Sequence, residues 1–99
     1  MYKIIQTNEF EEKFKNIFIY LIHNFSLTVA QDYWNYLDSQ IRNLQLFPNI
    51  GKTIVLQNGN ICRAIISKKN IVLYQIDEEK KQIVLLGIVS SNENYLNLF

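Results

Sequence analysis

The chain of 99 residues is poor in cysteine, histidine, proline and glycine, and these shortages exclude several kinds of protein. Its one cysteine, Cys62, cannot form a disulfide within the chain, and no Cys/His spacing typical of a metal site is present. The three glycines form no Gly-rich phosphate-binding loop. We therefore expect no disulfide, no metal and no cofactor, and a reducing compartment.

Long apolar runs and a strong net charge are also lacking. The longest apolar run, around Ile83 to Val89, is far shorter than the ~20 residues of a membrane-spanning helix, and residues 1–5 lack the apolar region of a signal peptide. Eight lysines and two arginines against nine acids give a net charge of +1, too little to attract nucleic acid or anionic lipid by itself. We expect a cytoplasmic protein that contacts no membrane.

The chain is rich in the residues that build a core. Hydrophobic residues make up 48%, with six Phe, six Tyr and one Trp, so folding buries enough apolar area to offset the loss of chain entropy. A length of 99 residues suits one core and not two. We expect one domain over residues 1–99.

The first half of the chain has the pattern of a strand followed by two helices. Tyr2–Gln6 is a short extended stretch, and Asn8 with Glu11 approximates a capping box for a first helix. Ser26 or Thr28 can cap a second helix, which should end before Phe47-Pro48. The apolar residues recur at helical spacing in both segments: Phe10, Phe14, Ile17, Leu21 and Phe25, then Trp34, Leu37, Ile41 and Leu44. The short link makes the helices antiparallel.

The second half changes to β-branched runs of strand length, separated by short polar turns. The four predicted strands are Ile54–Leu56, Ile61–Ile66, Ile71–Ile76 and Ile83–Val89. Together the two halves predict an α+β fold, in which an N-terminal strand and an antiparallel two-helix hairpin pack on one face of a C-terminal antiparallel β-meander.

In the last three predicted strands, apolar residues occupy both the odd and the even positions, as in the neighbours Ile65 and Ile66. Polar and apolar residues should alternate when one face of an antiparallel sheet is wet. Two explanations stay open: a second apolar face around Arg63 that is available to another chain, or a curved sheet with the C-terminal tail folded over it.

Several short segments of the sequence, taken in order, resemble those of one protein family. They are Tyr2-Lys3-Ile4-Ile5 with Phe10 and Phe14, then Ala30 through Leu44 to Phe47-Pro48 and Gly51, and then Arg63 with Ile71-Val72-Leu73-Tyr74-Gln75-Ile76-Asp77. This order is similar to that of the RelE/ParE toxins of bacterial type II toxin–antitoxin systems. The resemblance implies a growth-inhibiting toxin wrapped by an antitoxin, with DNA operator binding only through that antitoxin.

Two activities follow from the resemblance, since RelE-like members cut mRNA on the ribosome and ParE-like members poison DNA gyrase. RNA cleavage by in-line attack needs proton-transfer groups and cations near the phosphate. The candidate residues are Lys52, Arg63, Lys68, Lys69, Tyr74 and Tyr95. A hairpin turning at Lys68-Lys69 places Arg63 opposite Tyr74, where a guanidinium beside a phenol could bind phosphate. Alternatively, Arg63 could make a structural contact to a helix end or to an acid.

The end of the chain departs from the nuclease pattern. RelE-like members usually have basic residues after the last strand, whereas residues 90–95 here contain an acid, Glu93, and no base. We therefore slightly favour a ParE-like toxin that binds gyrase. The alternatives are a ribosome-dependent endoribonuclease and a non-toxic interaction module whose activity has decayed.

Overall fold

A computed structural model describes residues 1–67 and 70–90 and has two helices packed on one face of a five-stranded sheet. The strands are β1 (Lys3–Gln6), β2 (Lys52–Val55), β3 (Ile61–Ser67), β4 (Asn70–Asp77) and β5 (Gln82–Ser90). The helices are α1 (Asn8–Asn24) and α2 (Leu27–Leu46), and a 3-10 turn over Pro48–Ile50 links α2 to β2. The predicted α+β fold is confirmed. In the described part of the chain, no helix is long and apolar enough to cross a membrane.

The sheet is mixed, with the strand order β1-β5-β4-β3-β2. Strands β2 to β5 form the predicted antiparallel meander, and β1 adds to it in parallel beside β5, where Ile4 is opposite Ile83. The sequence does not indicate this last pairing, because β1 and β5 lie at opposite ends of the chain. Among the described strands, β2 and β1 therefore form the two edges of the sheet.

Helix α1 begins one residue earlier than a cap at Asn8 would place it. Thr7 is the N-cap: its side chain accepts a hydrogen bond from the Phe10 amide at 3.2 Å, and its hydroxyl donates to the Leu85 carbonyl at 2.7 Å. The predicted capping box with Asn8 is therefore wrong, because Thr7 can serve the helix and β5 at once. One hydroxyl joins the start of α1 to β5, an interior strand of the sheet.

Helix α2 begins at the predicted cap, Ser26, whose side chain accepts from the Val29 amide at 3.1 Å. Phe10 is buried and Phe14 packs against the core, as their spacing predicts. Phe25 is an exception, since it lies past the end of α1 and is 64% exposed. The helical period no longer fixes its direction there.

Both faces of the sheet carry a core. The core beside the helices contains Phe10, Leu37, Ile41, Leu44, Ile65, Val72, Tyr74, Ile83, Leu85 and Ile88. The core on the second face contains Ile54, Leu56, Cys62, Ala64, Ile71, Leu73 and Val89. A bulge explains part of the lost alternation: Leu73 pairs with Gly87 but Tyr74 pairs with Leu85, so Leu86 is an extra residue.

Most of the second face is buried, although Ile66, which pairs with Ile71 of this face, is 71% exposed. Leu73 and Val89 on this face are 0% and 3% exposed. Arg63 is not on this face, because it pairs with Tyr74, which belongs to the core beside the helices. The expectation of an exposed apolar face around Arg63 is therefore wrong.

The double role of Thr7 gives a first prediction. Thr7→Val keeps the shape of the side chain but removes both hydrogen bonds, so the free energy of unfolding should fall by about 1–2 kcal/mol in urea titrations. Thr7→Ser keeps the hydroxyl and should lose much less. Equal losses in the two variants would show that the hydroxyl does not join helix and sheet.

Candidate functional site

Arg63 and Tyr74 stand opposite each other on neighbouring strands, as predicted, and Thr53 extends the row onto β2. Because residues paired across strands share a face, all three lie on the side of the sheet that packs against the helices. The turn between α2 and β2 passes over this row. The arginine and the tyrosine are therefore held between the sheet and the chain that leaves α2.

The Tyr74 hydroxyl is bound to that turn from both sides. It donates to the Pro48 carbonyl at 2.6 Å and accepts from the Gly51 amide at 3.0 Å, and the side chain is 0% exposed. Gly51 packs directly against the ring: a Cβ added there would lie 2.7 Å from Tyr74 Cε1, closer than carbon atoms approach each other. The close approach explains why a glycine follows Pro48 at this spacing.

Arg63 holds the same turn from the other strand. Its Nη1 donates to the Gly51 carbonyl at 2.8 Å and to the Asn49 carbonyl at 3.2 Å. We call this set of four hydrogen bonds, from Arg63 and Tyr74 to residues 48–51, the clasp. It satisfies backbone groups that a 3-10 turn leaves without partners.

The electrostatics of Tyr74 suit a structural role. Burial raises the pKa of its phenol, while the hydrogen bond from the Gly51 amide and the charge of Arg63 act in the opposite direction. A group that accepts a proton in catalysis needs a pKa close to the working pH and a path to the substrate. In this conformation Tyr74 has neither, because its pKa lies above 10.0 and its hydroxyl is buried.

Of the other candidate residues, the structure describes only Lys52, which lies away from Arg63. Lys52 pairs with Ala64, one position along β3, so the pleat directs it to the opposite face of the sheet from Arg63. Lys52 is exposed. Lys68, Lys69 and Tyr95 lie outside the described residues, so their part in any site stays a prediction.

A cleft opens beside the clasp, where the sheet divides. The ladder between β3 and β4 ends at the Arg63–Tyr74 pair, and beyond it the Gln75 side chain donates to the Ile61 carbonyl at 3.0 Å in place of a backbone bond. The resulting space, the Arg63 cleft, has a volume of about 290 Å3. Its lining residues are Thr53, Ile61, Cys62, Arg63, Gln75 and Ile76.

Four of these lining residues, Thr53, Ile61, Gln75 and Ile76, are not among the residues that the sequence singled out. Thr53 could not be found from the predicted turn: a two-residue turn at Asn58-Gly59 would place it opposite Ala64, whereas the observed loop of three residues, 57–59, places it opposite Arg63. The separation of β3 from β4 has no signal in the sequence, because Ile61 and Gln75 are ordinary strand residues.

The arrangement favours recognition over proton transfer. A guanidinium remains charged and presents donors in a planar fork, which suits a carboxylate or a phosphate. Arg63 is the only cation among the described residues that line the cleft, and burial raises the pKa of the Cys62 thiol. The described part of the site can bind an anion but lacks the groups that acid–base catalysis requires.

Residues 4–95 match the profile of a family described as the ParE toxin of type II toxin-antitoxin system, parDE. The match covers nearly the whole chain and includes β1, both helices, the turn with Gly51 and the Arg63–Tyr74 row. Among curated protein sequences, none matches this chain.

Solved structures share the fold at low sequence identity. The chromosomal ParDE system of P. aeruginosa has a TM-score of 0.74 at 15% identity, covering 91% of this chain and 96% of that chain. The isolated E. coli RelE toxin has a TM-score of 0.63 at 14% identity, covering 95% and 88%. The intact E. coli RelBE toxin-antitoxin complex has a TM-score of 0.61 at 15% identity, covering 94% and 100%.

The clasp predicts a stability effect at Tyr74. Tyr74→Phe keeps the buried ring but removes the partner of the buried Gly51 amide and of the part-buried Pro48 carbonyl, so the free energy of unfolding should fall by about 1–3 kcal/mol in denaturant titrations. Tyr20→Phe, at an exposed tyrosine of α1, is the matched control and should change stability by less than about 0.5 kcal/mol. Similar small losses of stability in both variants would show that the Tyr74 hydroxyl does not stabilise the turn.

The raised pKa of Tyr74 gives a second way to compare the parent protein with the Tyr74→Phe variant. Because the folded chain holds this phenolic proton above the ordinary pKa of 10.0, its contribution is complete below about pH 10 and is lost as the pH rises through the folded-state pKa. Above about pH 10, the unfolding free energy of Tyr74→Phe should therefore fall less steeply with pH than that of the parent protein. Parallel curves would contradict the assignment.

The close contact between Gly51 and the Tyr74 ring predicts a steric effect of any side chain at position 51. In Gly51→Ala the added methyl group must displace the Tyr74 ring, so the free energy of unfolding should fall by about 1–3 kcal/mol. Asn49→Ala tests the same turn at an exposed side chain, where only the backbone carbonyl bonds to Arg63, and should be close to neutral. A neutral Gly51→Ala variant would mean that the turn does not rest on Tyr74.

Proposed function

Because this chain belongs to the family of ParE toxins of type II toxin–antitoxin systems, we propose that it inhibits growth by binding a macromolecular target, with DNA gyrase favoured over mRNA. The same family assignment makes its physiological partner a cognate antitoxin, and the cytoplasm is the compartment where both would act. In this proposal the toxin works as a stoichiometric inhibitor and not as a nuclease.

The observation that carries the proposal is the use of Arg63 and Tyr74 in the clasp. A phosphate-cleaving site needs several cations and a proton acceptor around one phosphorus atom. Here the Tyr74 hydroxyl is bound to two backbone groups, Nη1 of Arg63 is bound to two more, and Lys52 is on the other face of the sheet. In the described residues these groups support a binding surface better than a catalytic centre.

Exposed apolar side chains at the tip of the helical hairpin support a protein target. Tyr20, Phe25 and Leu27 are 58%, 64% and 53% exposed, and the rings of Tyr20 and Phe25 contact each other with centroids 6.4 Å apart. Large apolar groups clustered on a surface are typical of protein–protein contact sites. RNA binding would instead favour cations along the same surface.

Two assays on the purified protein test this function. The first measures DNA supercoiling by gyrase, and the second measures cleavage of mRNA on translating ribosomes. We expect supercoiling to be inhibited in proportion to the amount of toxin, and mRNA to stay intact, because a binder is consumed by its target whereas a nuclease turns over.

Cleavage of mRNA at codons, lost in Lys52→Ala, would contradict the proposal and support the endoribonuclease alternative. Lys52 suits this test because it is exposed and lies outside the clasp, so its replacement should leave the fold intact. No effect in either assay, together with harmless expression of the folded protein in bacteria without the antitoxin, would support the non-toxic interaction module.

A further inference from the structure

The clasp uses only one nitrogen of the Arg63 guanidinium. Nη1 donates to both turn carbonyls, while Nε and Nη2 have no hydrogen-bond partner among residues 1–67 and 70–90. Arg63 lines the cleft and is only half-buried. The unused edge, Nε with Nη2, is the edge at which a carboxylate can accept two parallel hydrogen bonds.

The clasp also fixes the direction of this edge. The guanidinium is planar, so two bonds from Nη1 to the turn hold the whole group in one orientation. A ligand that binds there does not need to order a flexible side chain, which is a large part of the cost of most charged contacts. Arg63 is thus both a structural residue and a preorganised anion donor.

The surroundings of this edge are neutral and apolar. Among the described residues that line the cleft, Arg63 alone is charged. Ile61, which lines the cleft from β3, is 61% exposed, its cross-strand partner Val55 is 60% exposed, and Ile76 lines the cleft from β4. The ligand that fits best therefore has one negative group with apolar groups on either side.

These features fit a protein segment better than an RNA strand. A nucleic-acid backbone brings one charge per nucleotide and is bound by rows of cations, often with aromatic rings on which bases stack. The described lining offers a single cation and no aromatic side chain, and the nearby Lys52 is on the other face of the sheet. One carboxylate with apolar neighbours matches the single guanidinium and its apolar rim.

We propose that the Arg63 cleft binds an acidic side chain of the antitoxin, presented by a segment in which the acid stands between apolar residues. The inference rests on the proposed function in one respect, which is that the chain has a protein partner that binds the folded toxin. The inference adds that the partner binds at the Arg63 cleft and that the cleft selects an acidic side chain.

The test uses the whole chain and two synthetic pentapeptides blocked at both ends, Ser-Ile-Glu-Val-Ser and its counterpart with Gln in place of Glu. Binding is followed by NMR titration of the Arg63 Nε–Hε resonance and of the backbone amides of Thr53, Ile61 and Ile76. We expect the Glu peptide to shift these resonances and the Gln peptide to bind about tenfold more weakly, since the charge-assisted pair is lost.

Two isoleucines of β3 provide matched variants. Ile61→Glu places a carboxylate beside Arg63, so this side chain should occupy the guanidinium and weaken binding of the Glu peptide about tenfold or more. Ile66→Glu makes the same change at a residue that is 71% exposed and outside the cleft, so binding should be unchanged. Both substitutions are at exposed positions, so both variants should fold.

Three results would overturn the proposal. They are no shift with the Glu peptide, equal binding of the Glu and Gln peptides, and equal weakening in the two variants. Shifts of the same resonances by a ten-nucleotide single-stranded RNA, without shifts by the Glu peptide, would assign the cleft to nucleic acid instead. Any of these could occur while gyrase is still inhibited, so failure of the inference is distinct from failure of the proposed function.

Discussion

The Tyr74 hydroxyl, held between the Pro48 carbonyl and the Gly51 amide, is the contact on which the rest of the site depends. It ties the end of the helical layer to the centre of the sheet, at the only proline of the chain and beside a glycine whose lack of a side chain lets the ring approach. Arg63 then closes the same turn from the neighbouring strand. Removing the hydroxyl would leave buried backbone groups without partners, which costs more than a typical hydrogen bond contributes.

This contact also constrains function. The Tyr74 hydroxyl and Nη1 of Arg63 are already bound to the backbone of the turn. What remains available is the second edge of the guanidinium, in a cleft that exists because β3 and β4 separate next to the clasp. Structure and recognition therefore share one residue, and the structural bonds of Arg63 make it a better-ordered binding group.

Much of the fold could be predicted because it depends on local patterns. Three local patterns predict observed features: Ser26 as a helix cap, the helical spacing of Phe10 and Phe14, and a hairpin register that pairs Arg63 with Tyr74. The parallel pairing of β1 with β5 could not be predicted, since it joins residues nearly 80 positions apart. The face that carries Arg63 could not be predicted either, because both parities of the strands are apolar.

The most direct test of this account is native-state hydrogen exchange of the Gly51 amide, which in the fold donates to Tyr74 and to no strand partner. The account predicts that this amide is protected nearly as well as amides of the central strands, and that Tyr74→Phe removes the protection at Gly51 while strand amides such as that of Ile83 keep theirs. An amide at Gly51 that exchanges as fast as those of exposed turns in the parent protein would contradict it.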